Sequence, residues 1–321
     1  MNKSYPSRRS VLAGLAAAPL APAVLKAEPL QPVTLLIDWK PGPTHAGLYI
    51  ARENGAFRRR GIDIRIHEGH GADVAAEMVG VGKEYWIAIC RAPATAIARS
   101  KGKSVRSLAV YYRRLPTVLY AHAADRIDAP RDLYGKRVGI VPGSIVADEF
   151  RALLAANRIN RSRIKEVEVE PGPQALLDHK VDALVDHEEL SPAELQAQGH
   201  KISTLRFADY GVRLYSLNLI VNELAWMNPA RQETARKVAE AVAEGYQAVR
   251  DHPARSATVF EQLFPDLSSR YVNLSTQIVS RQLAAPIGSQ TRLGWEDTLK
   301  TLSSLGLLSR AVSAEEVAIY D

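Results

Sequence analysis

Cysteine appears once in the 321 residues, as Cys90, so neither an internal disulfide nor a site built on several thiolates is possible. Stability must therefore come from packing. Strong net charge is missing too: the chain carries +6, and four of those charges, Lys3, Arg8, Arg9 and Lys26, lie in the first 27 residues with no acid among them, which leaves +2 for the rest. So small and scattered an excess excludes a nucleic-acid-binding surface, and short clusters such as Arg58-Arg59-Arg60 read as solvated helix ends. No apolar run reaches the roughly 20 residues that a membrane-spanning helix needs. Also absent are G-x-S-x-G and H-E-x-x-H, and Cys90 has no motif-defined partner, so no catalytic residue and no cofactor is assigned.

What the first 27 residues do contain is the layout of an export signal: the adjacent Arg8 and Arg9, an Ala/Leu-rich segment over 11–25, and small residues such as Ala21, Ala23 and Ala27 as cleavage points. The order Ser-Arg-Arg-x-x-Leu resembles the twin-arginine signal, which implies passage across the bacterial inner membrane and a cleaved, periplasmic protein. The competing reading is a basic N-terminal tail.

Beyond it, strand-like and helix-like runs alternate. "VTLLID", "IDIRIHEG", "EYWIAI" and "VRSLAVYY" read as strands, separated by the helical runs "HAGLYIARENGAF", "ADVAAEMVGVG" and "PATAIARSKG". This β-α-β-α order predicts an α/β fold around a mostly parallel sheet. A second α/β unit follows, with strands "KRVGIV", "KEVEVE" and "VDALVD" and helices "SIVADEFRALLAANRI" and "GPQALLDHK", before the chain returns at "YSLNLIVNE"; from Pro229 on it is nearly all helical. The expected organisation is a signal over 1–27, one lobe from 28–118 and 216–321, and a second lobe over 119–215. A cleft between such lobes, beyond the C-terminal ends of parallel strands, is where small ligands bind.

Three groups of residues face that cleft. Asp38 and Trp39 end the first strand, and the loop Pro41-Gly42-Pro43-Thr44 delivers His45 to the next helix; a Trp at a cleft edge offers a stacking face and a His a hydrogen-bonding edge. An equally simple reading has Trp39 capping the core and His45 opening a helix. Gly143, Ser144 and Ile145 start a helix whose free N–H groups can grip an anionic or carbonyl oxygen, or Ser144 is an ordinary N-cap. Asp182, Asp186, His187, Glu188 and Glu189 follow a buried strand, where carboxylates can accept from ligand N–H groups; they crowd one turn too closely for a metal site, and a solvated helix start competes.

Taken in order, "LLIDWKPGPTHAGLYIARENGAFRRRGIDIRI", "GVGKEYWIAICRAPATAIARSKG", "DLYGKRVGIVPGS", "LLDHKVDALVD" and "FADYGVRLYSLNLIVNE" resemble periplasmic binding proteins that capture pyrimidine precursors of thiamine for ABC importers, and the related thiamine-pyrimidine synthases of fungi and plants. The resemblance implies the two-lobe type II periplasmic binding protein fold, a monomer, a small aromatic heterocycle as ligand and an inner-membrane ABC permease as partner. It makes Trp39 the ring-stacking residue with His45 beside it, Glu188 a carboxylate from lobe two, and Tyr210 and Tyr215 hinge or rim residues. Asp38, Tyr49, Arg91, Tyr112, Gly143, Ser144 and Asp186 complete the expected ligand-binding set. Two departures stand out. Gly42 replaces an Asn of the transport proteins, and "ICRAPAT" lacks both the lysine that carries pyridoxal phosphate in the synthases and their substrate histidine. A sulfonate or taurine binder, a riboflavin-type binder and, from another class, a synthase are the alternatives.

Overall fold

The computed structural model describes Met1 and residues 29–320; the expected export signal lies outside the described residues. Two five-stranded sheets organise the chain. The first holds β1 (Gln31–Ile37), β2 (Ile62–His67), β3 (Ile87–Arg91), β4 (Val105–Val110) and the returning β10 (Leu217–Asn222), in the order β2-β1-β3-β10-β4. The second holds β5 (Thr117–His122), β6 (Arg137–Ile140), β7 (Lys165–Glu168), β8 (Ala183–His187) and β9 (Ile202–Arg206), in the order β7-β6-β8-β5-β9.

The mostly parallel sheet expected from the sequence takes a particular form. In each sheet one strand runs against the rest: β10 is antiparallel to β3 and β4, and β5 is antiparallel to β8 and β9. Both are the strands by which the chain arrives from the other lobe. The first passage occupies 111–116, so Thr117 and Val118 already belong to the second sheet. Tyr111 and Tyr112 leave β4 because both backbone N–H groups bond to the Leu217 carbonyl, which closes the edge of the first sheet over the start of β10. The strand β9 escapes the sequence pattern because it is an edge strand with a single buried residue, Leu205, and so carries almost no alternation.

Helices cover both faces. On lobe 1, α1 (Ala46–Glu53), α8 (Pro229–Asp251), α9 (Pro253–Leu263) and α10 (Ser269–Gln282) bury one side of the sheet, and α2 (Ala72–Val81) and α3 (Ala92–Ser100) the other. On lobe 2, α5 (Gln174–Leu177) and α6 (Ser191–Ala197) lie on one face and α4 (Ile145–Ala156) on the other. The short α7 (Glu223–Trp226) leads into α8, where Asn228 accepts the N–H groups of Ala230 and Arg231 and Pro229 takes the first helical position. Finally α11 (Arg292–Ser304) and α12 (Ala314–Val317) pack across the two passages, with Trp295 buried in a core that mixes residues of both lobes.

One helix contact positions the loop before α1. A Cβ on Gly47 would stand 2.3 Å from the Tyr246 ring, and one on Gly245 would stand 1.9 Å from the Gly47 carbonyl oxygen. Only with glycine at both positions can α1 and α8 approach so closely. That approach lets the Tyr246 hydroxyl donate to the Thr44 carbonyl at 2.8 Å, and the Tyr112 hydroxyl donates to the same oxygen at 3.1 Å.

Candidate functional site

The C-terminal ends of β1, β3 and β8 and the starts of β5 and β10 converge where the lobes meet. From lobe 1 come Asp38, Thr44, His45 and Arg91, all buried. The Asp38 Oδ1 lies 2.9 Å from His45 Nε2, and its Oδ2 is 3.6 Å from Arg91 Nε. Burial alone would lift the Asp38 carboxyl, but the His45 bond and the positive charges of His45 and Arg91 outweigh it and hold the group below its usual value. It is therefore an ionised anchor. Arg91 fixes its guanidinium further by donating to Ser216 Oγ at 3.0 Å.

Lobe 2 answers with the turn after β8. Asp186 accepts the His187 N–H at 2.8 Å, and its other oxygen accepts the Ser191 hydroxyl at 2.5 Å, so the turn is wrapped around this carboxyl before α6 begins. Past His187, the last residue of β8, the chain turns, which buries Glu189 and leaves Glu188 on the other side beside Arg206. Glu189 Oε1 accepts the Thr44 hydroxyl at 2.8 Å, and His187 Nδ1 lies 3.1 Å from Arg91 Nη2. Both bonds cross between the lobes. Nearby, α6 rests on α10, a second contact of lobe 2 with lobe 1.

Buried acid dominates the electrostatics. Burial raises the pKa of Glu189 against the pull of Arg91 and Thr44, and raises that of Asp186 against its Ser191 and backbone bonds. Glu149, in the second turn of α4, accepts the Thr117 hydroxyl at 2.5 Å; burial pushes its carboxyl up to about 7, with that bond and the Arg91 charge opposing. His187 moves the other way, held well below the usual imidazole value by burial and then by Arg91. Three polar atoms of this seam are buried without a hydrogen-bond partner: His45 Nδ1, His187 Nε2 and Glu189 Oε2.

Of the residues expected from the sequence, Asp38, His45, Arg91, Tyr112 and Asp186 come together here. Trp39 stands one residue beyond Asp38 with half its surface (52%) exposed. Ser144 caps α4, accepting the Ala147 N–H at 3.3 Å while its hydroxyl donates to the Val141 carbonyl, and Gly143 precedes it at a positive φ of 71°. Elsewhere lie four others. Glu188 pairs with Arg206 on the surface of lobe 2. Tyr49 packs edge-on against Phe260 and Phe264, Tyr210 donates to the Asp128 carbonyl, and Tyr215 packs edge-on against Trp295 just before β10. Thr44, Glu149, His187, Ser216, Glu189 and Tyr246 are the seam residues absent from the expected set. His187 ends the buried strand β8, whereas Glu189 lies in the turn beyond it, whose conformation no sequence pattern gives. Cys90 is buried behind Arg91, 3.4 Å from Thr95 Oγ1, with its thiol pushed up by burial. A groove of about 260 Å³ lined by Arg113, Arg114 and Arg213 lies on the two passages instead, and its arginines are engaged by the Ala284 and Ala285 carbonyls, Asp209 and Asp297.

This architecture is that of the two-lobe periplasmic ligand-binding proteins. The periplasmic aliphatic sulphonate binding protein SsuA from Escherichia coli superposes with a TM-score of 0.74 at 12% identity, over 89% of this chain and 96% of that one. Within that fold class the chain belongs to the NMT1/THI5 like family, whose profile matches residues 42–256. Among its relatives, the formylaminopyrimidine-binding protein of Halalkalibacterium halodurans is 27% identical over 304 residues, 90% of each chain. The riboflavin-binding protein RibY of Chloroflexus aurantiacus is 26% identical over 318 residues, 94% of this chain and 89% of that one. A shorter stretch of 121 residues is 31% identical to a 4-amino-5-hydroxymethyl-2-methylpyrimidine phosphate synthase of Saccharomyces cerevisiae, covering 37% of this chain and 35% of the enzyme.

Proposed function

We propose that the protein is the solute-binding component of an ABC importer, exported to the periplasm, and that its two lobes close on an amino-substituted heteroaromatic ring of the thiamine-pyrimidine type. The observation that carries the ligand class is the charge of the seam. Three buried carboxyl groups, Asp38, Glu149 and Glu189, and the half-buried Asp186 surround the single guanidinium of Arg91. A sulfonate entering there would face the ionised Asp38 in a poorly screened site, where repulsion is stronger than in water, and the one guanidinium is already engaged by Asp38, Ser216 and His187. A neutral or cationic ring that donates N–H groups meets acceptors instead. The full-length likeness to a formylaminopyrimidine-binding protein supports the same choice.

Closure itself follows from the two interlobe bonds. A ligand held by both lobes binds the closed arrangement better than the open one and shifts the population toward it, and the closed shape is what a permease reads. Binding rather than catalysis is supported by the seam's composition: none of its side chains described above is a lysine able to carry pyridoxal phosphate, and Arg91, in the stretch where the synthases place theirs, is engaged by Asp38, Ser216 and His187.

The test is the melting temperature of the protein lacking residues 1–27 against a formylaminopyrimidine, 4-amino-5-hydroxymethyl-2-methylpyrimidine, riboflavin, taurine and pyridoxal phosphate. A ligand at about 100 times its Kd stabilises by about 2.7 kcal/mol, enough for a clear shift. Stabilisation by a pyrimidine supports the reading. A shift with taurine alone, or a Schiff-base absorbance with pyridoxal phosphate, overturns it.

A further inference from the structure

Resting on that reading of the ligand class, we infer that His187 is a specificity-determining residue: it presents a fixed Nε2–H donor to an acceptor atom on the ligand ring, and Arg91 is the residue that positions it. The guanidinium has donors only, so its 3.1 Å contact with His187 leaves Nδ1 as the acceptor. In a neutral imidazole the single ring proton then sits on Nε2. Burial and the Arg91 charge both disfavour the imidazolium, which would also set two donors against each other. The result is an N–H group in a residue only 6% exposed, with no partner. A donor left unmade in such a place carries a free-energy penalty that a matching acceptor removes.

Two neighbouring polar groups are also left with an unpartnered atom. His45 donates to the ionised Asp38 through Nε2, and its Nδ1 has no partner. Glu189 has one oxygen on Thr44 and the other without a partner. A donor beside a carboxyl acceptor fits a ring that carries a lone-pair nitrogen or carbonyl beside an N–H donor. It does not fit a sulfonate, which is all acceptor. The sequence marked this turn as a cluster of acids; the functional atom is the imidazole among them.

Nuclear magnetic resonance of the ¹⁵N-histidine-labelled protein reads the tautomer directly, with His187→Gln assigning the signals. The expected result for ligand-free protein at neutral pH is a protonated Nε2 and an unprotonated Nδ1, with the preference lost in Arg91→Met. An Nδ1–H tautomer or an imidazolium overturns the inference. Calorimetry then compares 4-amino-5-hydroxymethyl-2-methylpyrimidine with analogues in which each ring nitrogen in turn is replaced by CH. His187→Leu is expected to weaken the pyrimidine about tenfold or more, and to leave one of the two analogues unaffected. His187→Gln, whose amide N–H replaces Nε2–H, stays close to wild type. Equal losses for the pyrimidine and both analogues would make the role merely structural and overturn the inference. Failure of the wild-type protein to bind any pyrimidine overturns the ligand class alone, because the tautomer is read without ligand and still decides His187.

Discussion

Replacing Thr44 by valine removes one hydroxyl from the seam and almost nothing else. Thr44 and Glu189 are both buried, their 2.8 Å bond crosses between the lobes, and the second Glu189 oxygen already has no partner. In the valine variant the carboxyl loses its only hydrogen bond to the other lobe. A bond to a charged or polar buried acceptor is worth about 1.5–3 kcal/mol when its partner is deleted, which corresponds to a loss of about ten- to a hundredfold in affinity. Because the bond exists only when the lobes are together, the loss belongs to closure and not to the folding of either lobe. Calorimetric Kd values for the pyrimidine should rise in Thr44→Val and stay near wild type in Thr44→Ser, while the urea midpoint of ligand-free protein stays put. A cycle with Glu189→Met should return a coupling energy of about 1–2 kcal/mol. The reasoning is refuted by a coupling near zero, or by a fall in ligand-free stability as large as the fall in binding.

Other perturbations follow from the same geometry. Glu149 binds its proton more tightly folded than unfolded, so its contribution is full below about 4.5 and is lost as pH rises to about 7; that window holds about 3 kcal/mol. Glu149→Gln should flatten this part of the stability profile measured by urea unfolding, and an unchanged slope would contradict the assignment. Trp39→Ala should weaken pyrimidine binding by roughly 1–3 kcal/mol, the range of base–aromatic stacking, and leave the ligand-free melting temperature unchanged because half the side chain is already in solvent. Tyr246→Phe deletes one of two hydroxyl bonds to the Thr44 carbonyl. It should lower stability by about 0.5–1.5 kcal/mol, and equal stability in denaturant would show that the Tyr112 bond suffices.

Most of the fold was legible because its elements are long and strongly patterned. The runs around β1, β2, β6 and β10 and the 23-residue α8 read directly from alternation and helical spacing. What escaped depends on pairing across the chain: β9 has too little burial to alternate, and the reversed direction of β5 and β10 follows only from the passage between lobes. The site divides in the same way. Asp38 and His45 announced themselves by position, at a strand end and on the loop that follows. The choice of Glu188 over Glu189 rested on the family resemblance, whereas the turn after β8 buries Glu189 and pairs Glu188 with Arg206. Thr44 and Tyr246 were invisible, since a threonine on a loop and a tyrosine inside a helix become seam residues only when Gly47 and Gly245 bring α1 and α8 together.

The most direct measurement of the central claim is competitive retention. The protein lacking residues 1–27 is mixed with equimolar formylaminopyrimidine, riboflavin and taurine, freed of unbound solute, denatured, and the released molecule identified by mass spectrometry. The account predicts one pyrimidine per chain and no taurine. Retention of taurine in its place would contradict it, because the seam of four carboxyl groups around Arg91 would then be holding an anion.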